Sequence, residues 1–115
     1  MDDPIHAVPG TRRRRAEVEQ LRRRAEHLAA THPDDAAARG VVDAARWTLR
    51  ETTAAPLASG RTGDRLGFEA ELDQARQICL GLSSGDADRA SGVRAWLEWW
   101  LMVSAPPAWL SPTPR

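Results

Sequence analysis

Apolar residues in this chain recur at spacings of three and four in four separate segments, and no strand-like alternation competes with them. That period turns one face of a helix toward a core, so the pattern selects helices over sheet. Val18, Leu21, Ala25 and Leu28 line one face of a first helix beginning near Arg12 to Arg14. Ala38, Val42, Ala45 and Leu49 do the same for a second, from about Pro33 to Thr52, and Phe68, Leu72, Ala75 and Cys79 for a third, from about Asp64 to Leu80. A fourth runs from about Gly85 to Val103.

The boundaries follow from turn chemistry. Thr31-His32-Pro33-Asp34-Asp35 stops the first helix and starts the second, because proline suits a first helical turn and aspartates there complement the helix dipole. So short a connection implies an antiparallel hairpin. Residues 53–63 carry Pro56, Gly60 and Gly63 without periodicity and read as a flexible loop that Leu57 pins. Gly81 occupies the place of a left-handed helix cap that Leu82 closes, and Ser83 with Asp86 forms a capping-box signal for the fourth helix. Pro106 and Pro107 lie beyond its end. The expected organisation is a mobile leader over 1–11, a single-domain all-α antiparallel bundle of four helices over 12–103, and a Pro-rich extended tail over 104–115.

With 115 residues the chain has room for one domain, and its sixteen arginines balance sixteen acids. A strongly basic or acidic partner surface is therefore not expected of the molecule as a whole. Its one cysteine, Cys79, cannot form an internal disulfide and falls on the apolar stripe of the third helix, where it reads as a small core residue. No apolar run approaches about 20 residues, and Met1-Asp2-Asp3-Pro4 lacks the features of a signal peptide. The expectation is a cytoplasmic protein without a membrane partner.

Arg12, Arg13, Arg15, Arg22, Arg23 and Arg24 could form a continuous patch for nucleic acid, since Arg12 and Arg23 share a helical heading, as do Arg13 with Arg24 and Arg15 with Arg22. Glu19 lies four residues from both Arg15 and Arg23, and Glu26 four from Arg22, so the spacing equally suits a solvated face laced with ion pairs. The neutral overall charge favours the second reading. His27, His32, Asp34 and Asp35 match no metal-site spacing. No Ser, His and acid arrangement can be picked out, and Gly60-Arg61-Thr62-Gly63-Asp64 lacks the Lys-Ser/Thr of a phosphate-binding loop. Neither a catalytic residue nor a cofactor is expected.

His32-Pro33-Asp34-Asp35-Ala36 resembles the junctions of tetratricopeptide-like helical repeats, a resemblance covering that turn alone, with no second copy near a 34-residue period. In its lysine-free composition and helical layout the chain loosely resembles small uncharacterised helical proteins of actinobacteria and their phages or integrated elements.

The fourth helix has more apolar surface than one packed side can absorb. Val93, Trp96, Leu97 and Trp100 share a face, while Trp99, Met102 and Ala95 spread round the back, leaving only Arg94 and Glu98 polar. Either the tail folds back through Trp109 and Leu110, or a protein partner, most economically a second copy in a homodimer, covers the excess. Trp96, Trp99, Trp100, Met102, Trp109 and Leu110 are thus the candidate partner-binding residues of a non-enzymatic interaction module. The alternative is a small nucleic-acid-binding regulator using the arginines of the first helix.

Overall fold

The computed structural model describes residues 11–101 and 105–110. Within them the chain forms α1 (Arg15–Thr31), α2 (Ala36–Thr48), α3 (Arg65–Cys79) and α4 (Ala87–Trp100). The single-domain all-α bundle is the architecture that the periodicity dictates, and α2 and α4 begin two or three residues later than the sequence suggests. Capping chemistry sets the starts. The Asp35 carboxylate accepts from the N–H groups of Ala37 and Ala38 at 3.0 and 3.2 Å, so α2 begins after Asp35 and not at Pro33. Asp64 accepts from Gly67 N at 2.9 Å, and Asp86 from Asp88 N and Arg89 N at 2.9 and 3.3 Å. Asp86 is therefore itself the cap of α4, and the expected capping box from Ser83 is replaced by it.

Two helices end in the same left-handed turn. At α3, Gly81 has φ +77°, its N–H donates to Ile78 O at 3.1 Å, and Leu82 N–H reaches back to Gln77 O at 2.8 Å. At α2 the left-handed position is held by Arg50, φ +64°, with Arg50 N bonded to Trp47 O and Glu51 N to Arg46 O at 3.0 and 2.8 Å. The α2 pattern therefore stops at Thr48 and not at Thr52. The same turn delivers Glu51 to Arg22 in the middle of α1, which closes the α1–α2 hairpin.

The most extensive helix interface is α2 on α4, followed by α3 on α4 and α1 on α2. The α2–α4 crossing is backbone-close because both helices place glycine there. A methyl group on Gly40 would stand 2.2 Å from Arg89 O, and one on Gly92 1.9 Å from Ala37 O. The core then fills with large rings from three helices: Trp47, Phe68, Trp96 and Trp100 are almost wholly buried. Phe68 meets Trp47 and Trp100 edge-on at centroid distances of 5.0 and 6.0 Å, and Trp96 stacks on Trp100 at 6.0 Å.

The loop between α2 and α3 is tied down, contrary to its reading as a flexible connection. Glu71, fully buried on α3, accepts from the Leu57 N–H and from Arg61 Nη1, both at 2.5 Å. Arg61 continues to Gln74 Oε1 at 2.8 Å, and Arg89 of α4 holds Pro56 O and Asp43 Oδ2, each at 2.8 Å. A buried carboxylate is tolerated here because both oxygens are satisfied.

Candidate interaction surface

The tryptophans expected to seek a partner are covered by the chain itself. Trp96, Trp100 and Leu110 have no solvent exposure and Trp99 only 4%. Trp96 points into the α2–α4 interface, where its Nε1 donates to Thr48 Oγ1 at 2.9 Å. Trp99 leans on Trp96 at 5.2 Å, and its outer face is capped by the Arg13 guanidinium, 4.8 Å from the ring centroid. Arg13 Nε also donates to Trp99 O at 2.9 Å, and the Thr11 hydroxyl to Trp100 O at 2.5 Å. These bonds satisfy carbonyls that the end of α4 leaves without helical partners. Thr11, expected in a mobile leader, is thus fastened to α4, while residues 1–10 lie outside the described residues. On the other side residues 107–110 of the tail make a turn, in which the Leu110 N–H bonds to Pro107 O at 3.0 Å and Leu110 drops into the core, while 104 and 111–115 lie outside the described residues. Burial removes Trp96, Trp99, Trp100 and Leu110 from the accessible surface. Met102 lies outside the described residues, and Trp109 keeps 40% exposure.

The arginines of α1 are dispersed in role. Arg13 is committed to Trp99, and Arg22 faces Glu26 at 3.1 Å, Glu19 at 3.9 Å and both oxygens of Glu51. Burial alone would make the Arg22 guanidinium easier to deprotonate; its hydrogen bond to Glu26 and the charges of Glu51 and Glu26 outweigh that and raise its pKa. Glu19, spaced to serve Arg15 or Arg23, approaches Arg22. Arg15 is partly buried, Arg12 and Arg23 are exposed, and Arg24 Nε is buried without a hydrogen-bond partner. Of the six arginines that could form a continuous patch, Arg13 and Arg22 are thus engaged in packing and ion pairs, as the spacing of glutamates suggests for Arg22.

The exposed apolar side chains lie elsewhere. Leu66, Leu80 and Leu82 are each about three-quarters exposed, at 76, 72 and 75%. In the turn ending α3, the residue at the Leu82 position usually packs back on the helix; here only its backbone closes the cap. Next to Leu80, the Cys79 thiol points to the start of α4, donating to Ala87 O at 3.9 Å. Arg94 of α4 lines a groove of ≈ 200 Å³ between α4 and the tail, together with Glu98, Pro107 and Trp109. Under that groove Arg76 and Arg94 converge on one oxygen of Glu98, at 3.0 and 3.1 Å. Desolvation pushes the Glu98 pKa up, but the hydrogen bonds from Arg94 and Arg76 override it and hold the carboxyl below the usual range. Leu80, one helical turn after Arg76, and Trp109, in the groove with Arg94 and Glu98, therefore lie by one charged cluster.

This face was missed because its parts come from three elements; the readable signals were Leu80 and Leu82 outside any apolar stripe and the Arg94–Glu98 spacing of four. Among the described residues no three His, Cys, Asp or Glu side chains form a metal-binding group, and no helix is long and apolar enough to cross a membrane. In comparisons with family models, with curated proteins and with solved structures, nothing matches the chain.

Proposed function

We propose that this chain is a non-enzymatic helical protein-interaction module, and that its contact surface is the face bearing Leu80, Leu82 and Trp109. The observation that supports it is the exposure of these large apolar side chains, which together with Leu66 at the far end of α3 are the large hydrophobic residues left exposed among the described residues. Exposed tryptophan and arginine are common anchors of contact patches, and charged groups beside apolar ones suit the polar rim of such a patch. The site moves from the inner face of α4, where burial inside the chain leaves nothing to offer, to the rim formed by α3, α4 and the tail.

Affinity capture from extracts of the source cell, with mass spectrometry of the retained proteins, tests this against the double variant Leu80→Ser/Leu82→Ser and the single variant Trp109→Ser. A protein retained by the parent chain and lost with both variants, at unchanged melting temperature, is the expected outcome. Retention of the same proteins by all three chains, or recovery of nucleic acid that disappears with Arg12→Gln/Arg23→Gln, contradicts it.

A further inference from the structure

We infer that the segment docking on this face is acidic, carrying a carboxylate within a turn or two of a large apolar side chain. This rests on the interaction reading above and adds the chemistry of the partner. Two guanidiniums share one carboxylate: Arg76 reaches Glu98 Oε2 through Nε and Nη2, at 3.1 and 3.0 Å, and Arg94 reaches the same oxygen through Nε. The side chains of both arginines remain accessible, at 41 and 45%, while that of Glu98 is at 15%. The cluster thus presents a surplus positive charge toward solvent, with guanidinium donors left over for a further acceptor.

The geometry around that charge selects the rest of the ligand. Arg94 lines the groove walled by Trp109 and Pro107, and the Glu98 oxygen it shares with Arg76 joins it to α3 one helical turn before the exposed Leu80. An entering chain that pairs a carboxylate with Arg94 has apolar surface on either side of it. Glu98 has a second effect: by holding both guanidiniums on one oxygen it fixes them before the partner arrives, which lowers the ordering cost of binding. A basic segment would meet two cations and only a half-hidden carboxylate already in use, so charge discriminates against it.

Panning a random-peptide library displayed on phage against the whole chain, followed by fluorescence anisotropy with the enriched peptides as synthetic probes, tests the inference. The expected peptides pair Asp or Glu with Leu, Phe or Trp. Their affinity falls about tenfold with Arg94→Gln, recovers in part with Arg94→Lys, and weakens as salt is raised. Enriched peptides that need Trp109 yet are neutral or basic overturn the acidic assignment and leave the interaction surface standing. Peptides that bind the Trp109→Ser and Leu80→Ser/Leu82→Ser chains as well as the parent, or no enrichment at all, overturn both.

Discussion

Glu71 and Arg50 each settle a stretch of chain that has no helix of its own. Replacing Glu71 by alanine removes the acceptor of the Leu57 N–H and the charge partner of the Arg61 guanidinium together, leaving a part-buried amide without its bond and Arg61 with Gln74 alone. Loss of one member of a buried pair costs about 3 kcal/mol, so Glu71→Ala should lower the urea midpoint by that measure and speed hydrogen exchange across residues 52–63. Glu71→Gln, which keeps an acceptor, should lose less than half as much; equal losses would mean the charge is not what holds the loop. Arg50 adopts a left-handed backbone that costs a residue with a side chain about 1 kcal/mol. Arg50→Gly should therefore raise the melting temperature by a few degrees, although glycine is ordinarily a destabilising choice. Of these two residues only Glu71 left a trace in the sequence: it falls in register with Phe68, Leu72 and Ala75 on the apolar stripe. Its partners come from a loop without periodicity, and the left-handed turn at Arg50 carries no glycine to announce it.

By helix propensity alone, Gly→Ala inside α2 or α4 would stabilise by about 1 kcal/mol. The close approach of Gly40 and Gly92 to facing carbonyls reverses the sign, and Gly92→Ala should destabilise by about 2 kcal/mol or more in chemical unfolding. The double variant should cost less than the sum, since one separation of the helices relieves both contacts. The α3–α4 contact is also acid-sensitive. Because Glu98 titrates lower in the folded chain than in the unfolded one, it adds stability that is fully present above the ordinary glutamate value of about 4.3 and lost as pH falls through the lower folded value. Asp64, held low by the Gly67 N–H and then by the Thr62 hydroxyl, acts in the same direction. Stability measured against pH should therefore fall less steeply below about pH 4 in Glu98→Gln than in the parent; parallel curves would show that the cluster carries no such linkage. Helix existence and facing were legible because the three-and-four period is a local property. The ends were not, since a capping aspartate overrides the apolar pattern by two or three residues, and the α2–α4 crossing depends on two glycines whose meeting is a tertiary fact.

At the scale of the molecule, the excess apolar surface of α4 is resolved by the two ends of the chain. The sequence suggests that a helix with Trp96, Trp99 and Trp100 needs cover on more than one side; of the two tail residues offered for it, Leu110 is buried in the core and Trp109 stays partly exposed. The remaining cover, Arg13 over Trp99 with Thr11 and Arg13 on the last carbonyls of α4, comes from residues that read as a leader and a cationic patch, because neither an arginine over a ring nor a helix-end acceptor has a sequence period. The radius of gyration of 13.3 Å is that of a compact chain of this length, about 13 Å. Because one chain seals its own tryptophan core, the fold is predicted to form without a second copy. The most direct test is the urea midpoint, followed by tryptophan emission, at protein concentrations of about 1 and 100 μM, since a fold completed by a second copy gains stability with concentration. Coincident midpoints are the predicted result; a midpoint that rises with concentration would place the cover of α4 in another molecule and contradict the account.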